Sequence, residues 1–271
     1  MCIIVYSSQL CAVTNKQLER EKAMKTKSKK ILRNILLTLL LLLIAGTVYF
    51  FQFRKEGYYV TIPYRPSFEK IADNVYINKG NQIDRQMVFD IIDQARERDA
   101  AFFGELKHTD DAVIVIIDDE KLSKKLGEKA TTPLSFPTRK NYIVISNEYF
   151  ILDIVAHEMT HAEFHSRLNL DALYKVPAWF NEGTATQNDY REQYSEEQWV
   201  KLTDNGRSVL PFEEMDEYKE YAAGTKEDRV LRYTCAKHEV AEWIKEHSMD
   251  GYLDLLERLN NGEDFHTAYG K

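Results

Sequence analysis

Apolar residues fill an unbroken stretch from 35 to 53 (ILLTLLLLLIAGTVYFFQF), 19 residues without a charge, and afterwards fall into short groups bounded by Pro, Gly, Asp and Asn. As a helix that stretch would rise nearly the ~30 Å of a bilayer's hydrocarbon core, so it predicts a transmembrane helix. Beyond it, 58–62 and 74–77 read as short strands, with Pro63 and Pro66 between them. Over 84–103, Met87, Val88, Ile91, Ile92, Ala95, Phe102 and Phe103 recur at helical spacing and stop at Gly104. The run 112–117 (AVIVII) predicts a buried strand, and Asp118 and Asp119 can cap a helix to about Leu126. The stretch 127–140, with Pro133 and Pro137, is expected to be a loop, and 142–145 (YIVI) a strand leading into an apolar helix. After Asp171 the pattern is helical. Pro177 opens one helix, Ser195 starts a capping box, Thr225 caps a long helix through His247, and a last helix covers 251–260. This order predicts an α+β domain over 57–271. Its first part, 57–168, holds a mixed sheet and a helix beside the sheet's edge strand 142–146, and 169–271 is helical.

Charge sharpens this division. Residues 1–34 carry eight Lys/Arg against two Asp/Glu, leaving 28 against 41, a net −13, for the remainder. So acidic a domain argues against nucleic acid as a partner. Lys25, Lys27, Lys29, Lys30 and Arg33 stand just before the apolar run, which places 1–34 in the cytoplasm and the domain outside, anchored in the cell membrane by a single pass. Tyr49, Phe50, Phe51 and Phe53 would lie at the outer interface. A cleaved signal peptide shares the basic start, but here the apolar run continues past Ala45 and Gly46 with no polar start after them. Met24 offers a second start of translation beside Met1, since 1–23 resembles neither a domain nor an address. Cys2 and Cys11 precede the anchor and Cys235 is alone after it, so no disulfide is expected within the outer domain.

The chemistry concentrates at His157-Glu158-Met159-Thr160-His161. On a helix, residues four apart leave the same face, so two imidazoles can converge on one cation while Glu158 stands beside them. The apolar run from Phe150 to Ala156 predicts burial for this helix, and buried His and Glu side chains require partners that a metal supplies. The pattern points to a metal-dependent hydrolase. Two protein ligands hold zinc weakly, so a third is required. His165 shares the face but lies about 12 Å of helix rise from His157, and the position where metzincins place a histidine is Arg167.

HEMTH followed about twenty residues later by Trp179-Phe180-Asn181-Glu182-Gly183 resembles the gluzincin group of metallopeptidases. That resemblance implies a zincin-like domain with His157, His161 and Glu182 as Zn2+ ligands and Glu158 as catalytic base. The segment Leu231-Arg232-Tyr233-Thr234-Cys235-Ala236, with the helix after it, is similar to the C-terminal part of peptidase MA-like domains, where a tyrosine steadies the oxyanion. This implies the same role for Tyr233, whose other reading is a core aromatic. One departure is Thr186, standing where thermolysin-like enzymes have an aspartate that orients a zinc histidine; support must come from a backbone carbonyl or Asp189. Another is the lack of the G-x-M-x-N segment of zinc aminopeptidases, which points to an endopeptidase. The function so implied is hydrolysis of a peptide or protein substrate by a zinc-activated water, with the substrate added as a strand along 142–146. A membrane-anchored non-catalytic zinc module and a zinc hydrolase of a non-protein amide are the alternatives.

Overall fold

The computed structural model describes residues 3–107, 111–127, 129–135 and 138–270; Cys2 and Pro137 lie outside these. The chain divides into two units, Met1–Arg54 and Lys55–Lys271. The first is the helix α1 (Ile3–Phe53), in which Lys27–Phe53 is long and apolar enough to cross a membrane.

The second unit is α+β. It opens with α2 (Lys55–Thr61) and a 3-10 turn, then β1 (Phe68–Ala72), β2 (Val75–Asn78), α3 (Arg85–Phe103), β3 (Val113–Ile117) and α4 (Glu120–Leu126). The two-residue strands β4 (Ala130–Thr131) and β5 (Leu134–Ser135) precede β6 (Lys140–Ser146). Helices follow: α5 (Leu152–Arg167), α6 (Leu170–Lys175), α7 (Ala178–Thr186), α8 (Glu196–Leu202), α9 (Tyr218–Tyr221), α10 (Lys226–Asn260) and α11 (Phe265–Tyr269). The sheet runs β1-β2-β3-β6-β4, with β5 also on β6. It is mixed: β2, β3 and β6 are parallel, whereas β1, β4 and β5 join antiparallel.

All five residues of β3 and six of seven in β6 are buried, because both sheet faces are covered. Alternation along the strands deals them out. Ile114, Ile116, Ile143 and Ile145 meet Val88 and Ile92 of α3 and Val155 and Met159 of α5. Val113, Val115, Tyr142 and Val144 meet Tyr58 and Tyr59 of α2 and Leu126 of α4 on the other face. This second layer corrects the strand expected at 58–62. A helix there lets Tyr58, Tyr59 and Ile62 cover one sheet face together, and tertiary burial overrides the β preference of Tyr and Val.

Two further expectations need correction. The stretch 127–140 is not all loop, since β4 and β5 form ladders on β6. In consequence β6 is not the edge. It has β3 on one side, and on the other Ala130↔Ile145, Thr131↔Val144 and Leu134↔Asn141 close it off. Strands this short carry too little alternation to read from sequence. The caps at Asp119, Ser195 and Thr225 accept backbone N–H bonds where expected, and Asp84 caps α3 in the same way. The long helix from Thr225 and the last helix are joined as α10, interrupted at Ser248, whose φ is 65°.

Candidate metal centre

α5 has three duties, divided by azimuth. Val155, Met159 and Ala162 face the sheet core, and Phe164 enters a second core made by the C-terminal helices. At about 100° per residue, His157, His161, His165 and Glu158 share the remaining arc, roughly 100° wide. These residues line a cavity of about 180 Å³ with Thr131, Thr132, Glu182, Tyr218 and Tyr233.

Glu182 arrives from α7, which is fixed by packing rather than by its own length. Trp179 and Phe180 are buried in an aromatic cluster with Phe265 and Tyr269, and Phe180 stacks on Tyr252 at 5.8 Å. Gly183 presses on α10: a Cβ there would stand 2.5 Å from the Ala236 carbonyl oxygen. With that side of α7 committed, Asn181 and Glu182 face α5.

The Nε2 atoms of His157 and His161 lie 3.1 Å apart, and Glu182 Oε2 is 3.4 Å from each. Ligand atoms at about 2.0–2.1 Å from a tetrahedral ion stand about 3.3–3.4 Å from one another, so the three match a metal's coordination sphere. Among the described residues Glu182 Oε2 is buried with no hydrogen-bond donor, an arrangement costly without a cation to face it. The group could hold a metal ion. Burial alone would lower the His161 pKa, but the Glu182 carboxylate overrides it and raises it to about 9. Burial would likewise raise Glu182, yet the two imidazoles hold it well below the usual carboxylate range.

Glu158 lies on the same wall, where Thr132 Oγ1 donates to its Oε2 at 2.6 Å. Tyr233 is half-buried between Tyr194 and Tyr221, and its ring centroid lies 6.1 Å from that of His157; it both packs and lines the cavity. Burial, and then Glu182, push its phenol well above the ordinary value. His165 stands outside the trio, as its helical rise requires, with Asn181 and Asn141 at its two ring nitrogens. Burial and the neighbouring His161 lower its pKa to about 3, which keeps it neutral. Thr186 donates to the Glu182 carbonyl rather than to a ligand, and Asp189 Oδ2 is 3.9 Å from His157 Nδ1, beyond hydrogen-bond length. Arg191 grips both oxygens of Asp189.

Sequence reasoning missed four residues. Asn181, which accepts from His161 Nδ1 at 2.9 Å, sits inside the quoted Trp-to-Gly motif and could have been found there. Thr132 lay in an expected loop. Tyr218, on the four-residue α9, lines the cavity, and the Glu182 charge beside it raises its pKa. Asp99 of α3 is fully buried behind α5, accepting from Thr160 at 2.6 Å and Asn188 at 2.8 Å, and nothing in a helical pattern marks an acid as buried. Compared with known protein families and with curated protein sequences, the chain matches none.

Proposed function

We propose that this protein is a membrane-anchored, zinc-dependent metallopeptidase of gluzincin type that cleaves within peptide chains. The observation that carries this reading is the convergence of His157, His161 and Glu182 to within 3.4 Å, with Glu158 on the same cavity wall. Two imidazoles and one carboxylate are a catalytic donor set, whereas structural zinc sites usually close with four protein ligands and favour cysteine. Bound there, zinc would supply positive charge that polarises a carbonyl and lowers the pKa of water from about 15.7 toward 7.

The chain's own groups do the rest. Thr132 engages Glu158 Oε2, which leaves Oε1 to take a proton from water and return it to the leaving amine. The Tyr233 phenol, held protonated by its surroundings, donates to the carbonyl oxygen as that oxygen gains charge. An extended substrate adds along β4, which lines the cavity at the outer edge of the sheet. A mixed sheet followed by helices is in keeping with a zincin-like domain. The apolar span Lys27–Phe53 and the basic residues at its start support an anchor with its N-terminus cytoplasmic and the domain outside.

Glu158→Gln tests the base. Zinc content should stay at the wild-type level while peptide cleavage falls by about 10²–10⁴-fold. Cleavage at the wild-type rate would reject Glu158 as base, and cleavage unaffected by a chelator would reject the metal.

A further inference from the structure

A line of hydrogen bonds leads from His161 back to its own helix, and one end of it fixes every donor and acceptor along the way. The Ala162 carbonyl can only accept. Asn141 Nδ2, 3.1 Å from that oxygen and 3.1 Å from Ser166 Oγ, must therefore be the amide nitrogen, and its oxygen is turned the other way. Asn141 Oδ1 faces His165 Nδ1 at 3.2 Å, so His165 carries its proton on Nδ1. The bare Nε2 of that neutral ring meets Asn181 Nδ2 at 3.3 Å. Asn181 Oδ1 is then left to accept from His161 Nδ1 at 2.9 Å, which turns His161 Nε2 toward Glu182 and His157 Nε2.

We infer that Asn141 and His165 are positioning residues that act through Asn181 to hold His161 in the tautomer whose Nε2 lone pair faces the metal position. This rests on His161 being a ligand, as in the function proposed above. The opposite register needs no movement of heavy atoms beyond rotating the Asn181 and Asn141 amides by half a turn. It would place the His161 proton on Nε2, where the cation belongs, and set the Asn141 oxygen against the Ala162 carbonyl. Repulsion between those two acceptors selects the productive register. His157 has no such support among the described residues, where its Nδ1 is buried without a hydrogen-bond partner. Two ligands one turn apart on one helix are thus held unequally.

The full chain, isotopically labelled at its histidine nitrogens, reports each tautomer through long-range nitrogen–proton couplings, with His165→Phe used to assign the signals. His165 should carry its proton on Nδ1 both in the zinc-free chain and after zinc is added, and His161 should carry its single proton on Nδ1 once zinc is bound. A proton on His165 Nε2 in a chain that binds zinc overturns this inference alone. Failure of the wild-type chain to bind zinc overturns both the inference and the proposed function. Competition with a chelator supplies a second readout. His165→Phe and Asn141→Leu should each weaken zinc binding about 10–100-fold, and unchanged affinity in a folded variant counts against the relay.

Discussion

The groups that converge on the candidate metal position come from two helices built in different ways. In α5 the pair His157 and His161 is set by helix geometry itself, since residues four apart meet wherever the helix goes. The helix rests on small and flexible aliphatic side chains, Val155, Ala156, Met159 and Ala162. In α7 nothing local decides where Glu182 points. Its position comes from Trp179 and Phe180 in an aromatic core and from Gly183 against the α10 backbone. Pairing on α5 should therefore survive damage to its core, whereas the reach of Glu182 should not survive damage to its own.

Four measurements would break or sharpen this contrast. The largest effect is expected from Phe180→Ala, which empties the centre of the aromatic cluster. It should cost about 3–5 kcal/mol of unfolding free energy, and zinc affinity should fall in the fraction that remains folded. Next comes the acid behind α5. Burial, partly offset by the bonds from Thr160 and Asn188, raises the Asp99 pKa from its usual 3.8 to about 7. The folded state holds that proton more tightly than the unfolded chain, so this group's contribution to stability falls as pH rises from about 4 to 7 and is level above that. His165, kept neutral in the fold, contributes an opposite slope over part of this window, so the comparison is with Asp99→Asn, which mimics the protonated form and shares every other titrating group. Denaturant titrations should show the wild type losing on the order of 4 kcal/mol relative to that variant across this window.

Met159→Ala comes third, with a loss of about 3 kcal/mol. Zinc affinity measured on folded protein should stay within a factor of two or so, because helix geometry preserves the pair. A large loss of affinity here would erase the contrast between the helices. Smallest in stability is Gly183→Ala, since the added methyl meets the Ala236 carbonyl at 2.5 Å and α7 must move away. About 1–3 kcal/mol should be lost. Zinc affinity should fall out of proportion, because the shift displaces Glu182, the next residue back.

The same contrast explains what could be read without coordinates. Spacing carries His157, Glu158 and His161, because the information is local. Capping residues and Gly104 likewise mark helix ends by local chemistry. The placement of Glu182 came from resemblance to a known motif and could not have come from periodicity, since its direction is set by residues as distant as Tyr252, Phe265 and Tyr269. Segments whose conformation depends on a distant surface are not legible this way. The stretch 58–62 is helical rather than a strand because a sheet face needs three side chains at once. β4 exists only through its pairing with β6, so the edge strand was assigned one strand too far in. Tyr218 reaches the cavity from a helix of four residues, too short to leave any repeat.

Ser248 divides α10 with a positive φ of 65° and ψ of 169°, a region in which a serine is strained. Its hydroxyl accepts from the Gly251 N–H at 3.3 Å, so the residue that breaks one helix also starts the next. Angular phase is therefore not transmitted across it. Tyr233 and Ala236 on the near side keep their bearings toward the cavity and Gly183, while Tyr252 on the far side sets its own toward Thr184. A residue inserted at the joint itself, between His247 and Ser248, would leave the buried Trp243 and everything before it aimed as before.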